Sequence, residues 1–472
     1  MTPGRLILPA LRWRADTGFA HEDAAIRAAI EFGAGGFIIF GGRADAVARL
    51  TADLRDWAGR ALLVAADLER GAGQQFAGMS EFPPPAALAA LDDPNAIRFA
   101  AATTAGEALE LGINWVLAPV ADLDCEPDNP IIQTRSFSAD PERTAFAAAT
   151  WVRACQEAGA MACVKHFPGH GRTTRDSHDE VPTVTASAAV LREEDLTPFR
   201  RAIEAGVASV MTAHVRFPAL DPAGLPATFS PAILDLLRTE LGFDGLVVTD
   251  ALMMGAALSG AAGGSPAVRA LSAGCDLLCY PDDPGAAHRA IVAALQDGSL
   301  PETRVAEAIG RYEAAVGQQP HPPALSPYNG EGTGVRLSDK LLQRGFRRHT
   351  APVFRTPIEL VIVDDDQGGA WPASPTDYTA RALEAAGVAL GAGGSRIVLA
   401  FAEPRASKGR AGFGPASKAA LAEHAARADL VVLFAHPRLA VEIPGPAPLL
   451  LGWHRQRLMQ EAVARWILAH RG

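Results

Sequence analysis

The sequence predicts an α/β protein: a (β/α)8 TIM-type barrel followed by a smaller α/β sandwich-like domain. Short β-branched and apolar runs alternate with Ala-rich segments over the first 310 residues. Eight such runs occur in series, the number at which a parallel sheet closes into a barrel. Most runs also follow a glycine (Gly35, Gly112, Gly159, Gly206, Gly245, Gly274), where a helix C-cap would turn the chain inward. An open, doubly wound parallel sheet is the competing architecture.

In chain order the candidate strands are Leu6–Leu8, Gly36–Phe40, Leu62–Asp67, Asn114–Val120, Ala162–His166, Ser209–His214, Leu246–Asp250 and Asp276–Tyr280. Between them, Ala24–Phe32, Pro94–Leu111, Arg143–Ala158 and Leu196–Ala205 carry apolar residues at helical spacing. The expected barrel spans 1–315 and a linker 316–352, its Pro-rich part Gln318–Tyr328 punctuated by Pro320, Pro322, Pro323 and Pro327. In the block 353–472, Leu360–Val363, Ile397–Phe401 and Leu430–Phe434 are uninterrupted apolar runs, as fully buried parallel strands require. Leu449–Gly452 is a further candidate strand, and Pro415–Ala426 a candidate helix. Gly391–Ser395 is Gly-rich but precedes a strand, whereas a dinucleotide loop follows one and opens a helix; no nucleotide site is expected there.

Composition excludes several classes. Of 472 residues, 49% are hydrophobic and 20% charged, the balance of a globular chain. Lys and Arg number 43 against 53 Asp and Glu, a formal charge of −10 with no basic run, so no nucleic-acid partner is expected. No apolar stretch approaches the ~20 residues that span a bilayer, and the N-terminus lacks a signal-peptide pattern. Five irregularly spaced cysteines argue against a disulfide framework and fit a reducing, cytoplasmic setting. Cys163, Cys275 and Cys279 lie in apolar strand contexts, where free thiols are buried and inert, and Trp115 reads as core or barrel lining. The sequence sets no oligomeric state.

In a barrel the reactive groups come from the carboxyl ends of the strands. Those ends hold Asp67, Asp122, Lys165 with His166, His214 and Asp250. The densest segment, Val164–His178, packs three histidines, a lysine and an aspartate into 14 residues from Lys165 onward. Pro168, Gly169 and Gly171 preclude a regular helix there, so His166 and His170 are not an i,i+4 metal pair. Asp176 and His178 stand two apart on this loop. Carboxylate beside imidazole would orient the ring, fix its tautomer and raise its basicity; a solvated loop with helix caps is the alternative. Asp250 ends an apolar run that follows Gly242-Phe243-Asp244-Gly245. It is a candidate nucleophile, base or metal ligand, or simply a helix N-cap.

Together these segments resemble glycoside hydrolase family 3, and within it the β-N-acetylglucosaminidase branch. Lys165-His166-Phe167-Pro168-Gly169-His170-Gly171 followed by Asp176-Ser177-His178 is a specific signature, and Gly242 through Asp250 matches the nucleophile strand. Asn129-Pro130, Arg135-Ser136-Phe137 and Pro119 before Asp122 are secondary matches. The resemblance implies a retaining exo-β-glycosidase with no metal and no cofactor. Asp250 would be the nucleophile and His178, oriented by Asp176, the acid/base. Asp67, Arg135, Lys165 and His166 would hold the hydroxyls of a small carbohydrate or amino-sugar substrate. One departure stands out: Gln75 occupies the position of a further arginine common in this branch, and Gln lacks a fixed cationic fork.

Other chemistries fit parts of the pattern. A β-glucosidase, or a β-N-acetylglucosaminide phosphorylase, would use the same site. A metal-dependent hydrolase would enlist His166, His170, His178 and Asp250, although no His-x-His pair ends the early strands and the cysteines lack zinc spacing. A non-enzymatic sugar-binding protein would need no nucleophile.

Overall fold

A computed structural model describes residues 2–177, 180–255, 257, 264–317, 332–347, 351–366, 373–404 and 408–472. The chain forms two compact units: one of 1–80, 97–125 and 136–329, the other of 81–96, 126–135 and 330–472.

The first unit is built on parallel strands β1 (Ile7–Leu8), β2 (Ala10–Arg12), β3 (Gly36–Phe40), β4 (Leu63–Ala66), β5 (Trp115–Val116), β6 (Met161–Phe167), β7 (Ser209–Thr212), β8 (Leu246–Thr249) and β9 (Leu278–Cys279). Strands β2 to β8 make a seven-stranded sheet in sequence order, and β9 pairs with β1. Pro9 has no N–H to give the ladder, and it separates β1 from β2, which otherwise form one barrel strand. The sheet closes on both sides of β9: Val248 bridges Leu277, and Tyr280 N–H donates to Leu8 O at 2.9 Å. Eight strands therefore form a closed ring, as the hydrophobic pattern predicts. The residues of β4, β6, β7, β8 and β9 are all buried, which explains why they read as continuous apolar runs rather than alternating ones. Gly36 is required where β3 meets β4, because a Cβ there would lie 1.8 Å from Leu63 O.

Helices such as Asp23–Glu31, Ala44–Ala58, Pro141–Glu157 and Leu196–Glu204 return the chain between strands, and Pro284–Gln296 follows the last of them. Their starts follow local chemistry. Asp140 and Asp283 each accept a backbone N–H as N-caps, with proline in the first turn. Among the described residues no helix is long and apolar enough to cross a membrane.

The second unit carries a five-stranded sheet in the order β10-β14-β13-β12-β11, made of β10 (Phe346–Arg347), β11 (Ile358–Asp364), β12 (Ser395–Ala402), β13 (Leu430–Ala435) and β14 (Leu449–Leu451). Four strands are parallel; β10 pairs antiparallel with β14 at one edge. Strand β10 and the helix Thr333–Gly345 lie in the stretch read from sequence as linker. The helix buries Leu341 and Leu342, an apolar pattern that the neighbouring prolines obscured. At the carboxyl end of β11, buried Asp366 accepts from Lys408 Nζ at 2.9 Å and Arg455 at 2.8 Å.

The amino-terminal end of the barrel is held by one carboxylate. Asp276, fully buried ahead of β9, accepts from Arg238 and Arg304 at 2.5 Å each, Arg311 at 3.1 Å and Val247 N–H at 3.0 Å. Three cations and a backbone donor meet there because the sheet closes around it. Removing a buried partner strands the others, so Asp276→Ala should lower stability by about 3–5 kcal/mol. Urea unfolding checks this.

Candidate active site

Parallel closure sends every strand's carboxyl end to one rim. Register sets the neighbours: Phe167 pairs with Thr212 and Thr212 with Thr249, while Val120 bridges Lys165. Asp67 follows β4, Asp122 follows β5, Lys165 and His166 end β6, His214 follows β7 and Asp250 follows β8. Two buried thiols beneath the rim register the gathering. Burial pushes Cys163 up to about 12 and Cys279 well above the usual thiol range, and the charges of Asp67, Asp250 and Lys165 act on both. The thiols remain protonated and inert.

Lys165 is 3% exposed, and its Nζ lies 2.7 Å from Asp67 Oδ1 and 2.9 Å from Glu69 Oε1. A buried ammonium is costly unless paired, and two carboxylates answer it here. Glu69 is also buried, whereas Asp67 keeps 29% of its side chain exposed, so Asp67 is the member that can meet a ligand. Sequence reading missed Glu69. The signal was its place two residues beyond Asp67 on the same loop, beside a lysine that had to be neutralised.

His166 and the following loop are organised by Asp122. Its Oδ2 lies 2.7 Å from His166 Nδ1, and its Oδ1 accepts the backbone N–H groups of His166 at 3.2 Å and His170 at 2.6 Å. Burial opposes a charge on Asp122, but His166 outweighs it through charge and hydrogen bonding, helped by His170, and the carboxyl sits below its usual range. The His170 ring meets Thr173 Oγ1 at 2.8 Å and Ser177 Oγ at 2.9 Å. Both nitrogens face hydroxyls, which argues against this ring as a metal ligand. Gly171 is required by close approach, since a Cβ there would stand 1.9 Å from Leu123 O. Asp176 is buried at the far end of the loop, next to Ser177. His178, the expected acid/base, lies outside the described residues.

Asp250 is half-buried, its Oδ1 accepting Ala251 N–H at 2.7 Å. His214 steadies the same turn: Nε2 donates to Ala251 O at 3.1 Å, and Nδ1 lies 2.8 Å from Thr228 Oγ1. The Asp250 charge also reaches His170. Arg135 belongs to the second compact unit, on the turn Gln133–Arg135, where its guanidinium donates to Ile131 O at 3.2 Å. Gln75 uses its side-chain oxygen to accept Gly41 N–H at 3.1 Å, a structural bond.

A closed parallel barrel that gathers carboxylates, an ammonium and imidazoles at the carboxyl ends of its strands has the layout of a barrel enzyme. Residues 29–314 match the glycosyl hydrolase family 3 N terminal domain; the chain belongs to this family and is a glycoside hydrolase. It is 35% identical over 296 residues to a beta-hexosaminidase of Nitrosomonas eutropha, covering 60% of this chain and 82% of that protein. It is 37% identical over 282 residues to a beta-N-acetylglucosaminidase/beta-glucosidase of Cellulomonas fimi, covering 57% of this chain but only half of that protein's length. Its fold superposes with a TM-score of 0.85 on a family 3 beta-N-acetylglucosaminidase from Paenibacillus sp. str. FPU-7, at 29% identity over 99% of this chain and 96% of the other.

Burial lowers His170 from an ordinary 6.5 to about 4, so the folded protein keeps it neutral in a range where the unfolded chain protonates it. The unfolded state then binds more protons, and stability rises with pH across that window. The contribution is complete above pH 6.5 and fades as pH drops toward 4. Thermal melting should therefore fall over this range, and His170→Gln should flatten the fall.

Proposed function

We propose that the protein is a retaining exo-β-glycosidase that removes terminal β-N-acetylglucosamine. The observation that carries this reading is the gathering of Asp250 with the Lys165–Asp67–Glu69 cluster at one rim of the barrel. The names of the relatives support the choice of sugar. The same reading has the enzyme working in the cytoplasm, in keeping with its free cysteines, four of them buried.

The roles follow from what each group can do. Asp250, ionised and half-exposed, attacks the anomeric carbon; the bond to the leaving oxygen breaks and a glycosyl ester forms. His178 delivers its proton to that oxygen, then takes one from the water that attacks the ester and releases Asp250. Asp176 orients the imidazole. A histidine meets the requirement that retaining glycosidases usually meet with a second carboxyl group, and its neutral form adds no second negative charge beside Asp250. Asp67 and Lys165 hold sugar hydroxyls, as does His166. No step passes through a metal or an organic cofactor.

Asp250→Ala should abolish turnover of an aryl β-N-acetylglucosaminide; near-wild-type turnover would sink the assignment. His178→Ala should cost about 10²- to 10⁴-fold on substrates with poor leaving groups, and far less when the leaving phenol needs no proton. Products formed in phosphate buffer separate the nearest alternative. Free N-acetylglucosamine is expected, whereas a sugar 1-phosphate would assign phosphorolysis.

A further inference from the structure

We propose that Asp122 is a positioning residue that locks His166 in the Nδ1–H tautomer, so that Nε2 is the atom offered to the substrate. This rests on the reading above that His166 meets the sugar.

His166 is only 5% exposed, and Asp122 is buried beside it. The Asp122 carboxylate is an acceptor through both oxygens. Oδ1 is occupied by two backbone N–H groups, which orient the carboxylate and aim Oδ2 at His166 Nδ1, 2.7 Å away. An ionised carboxylate at that distance requires a proton on Nδ1, and Asp122 is held below the usual carboxyl range. Nε2 makes no hydrogen bond to any described residue. A histidine buried to this degree, with one nitrogen fixed and the other unmatched by any described residue, is built to meet a ligand atom. In its neutral form that nitrogen accepts a hydroxyl proton. Beside it Lys165 is a donor and Asp67 an acceptor, which together suit hydroxyls on adjacent carbons of one sugar ring.

Asp122 is suited to this role because it comes from another strand. It lies 44 residues before His166 and reaches it through the pairing of Val120 with Lys165. The same carboxylate also closes the turn from His166 to His170, so ring orientation and loop path share one anchor.

Asp122→Asn is the informative change. Its oxygen can still accept the two backbone N–H groups, but an amide N–H₂ replaces Oδ2 and turns His166 to the Nε2–H tautomer. We expect kcat/KM to fall about 10- to 100-fold, by analogy with the loss when the partner orienting a metal-bound histidine is removed. Asp122→Asn should have little further effect in a His166→Ala background. An equal loss in both backgrounds would overturn the proposal, as would wild-type kcat/KM in the single variant. ¹⁵N NMR of histidine-labelled wild-type protein, with His166→Ala for assignment, reads the tautomer without turnover and applies even if Asp122→Asn does not fold. Nδ1–H is expected for His166, and Nε2–H would refute the inference. Because this readout needs no substrate, it separates failure of the tautomer lock from failure of the glycosidase reading, which Asp250→Ala tests.

Discussion

Closure of the parallel sheet, completed where β9 pairs with β1, is the constraint on which the rest of the first unit depends. A parallel sheet with open edges leaves backbone groups unpaired, and closure removes both edges at once. It also gives the molecule two chemically different rims. The amino-terminal rim is held by Asp276 and its arginines, an arrangement that serves stability. The carboxyl-terminal rim collects Asp67, Asp122, Lys165, His166, His214 and Asp250, although these residues span almost two hundred positions of sequence.

Burial then disciplines that second rim. Each charge removed from water must be matched where it sits, and the matches decide which atoms remain for chemistry. Lys165 is neutralised by two carboxylates, of which Glu69 is enclosed and Asp67 open. His170 avoids the difficulty by staying neutral between two hydroxyls, and so braces the loop without competing for a proton near neutral pH. Donors and acceptors held in this way need not reorganise when a substrate arrives, which is the main electrostatic advantage a folded site has over water.

Much of this was legible in the residues. Every barrel strand falls within a residue or a few of its expected position, because strands buried on both faces leave continuous apolar runs bounded by glycines. Asp67, Lys165, His166 and Asp250 were readable for the same reason: a polar residue that abruptly ends such a run has to sit at a barrel mouth. Partnership was harder to see. Asp122 was visible as a strand end, but its bond to His166 depends on the register of β5 against β6. Glu69 was hidden because nothing in the sequence states how deeply Lys165 is buried. Helix Thr333–Gly345 was masked by its Pro-rich neighbours, and the segments 81–96 and 126–135, the latter carrying Arg135, fold with the second unit rather than with the barrel residues on either side of them.

The sequence by itself determined the periodicity of strands and helices, the parallel architecture and the chemical types available at the strand ends, since these follow from local patterning and the short reach of the backbone. Only the tertiary structure decided which groups are buried, which carboxylate answers which cation, and which histidine nitrogen is left over. Those properties depend on register, distance and exclusion of water among residues far apart in the chain, and no local pattern encodes them.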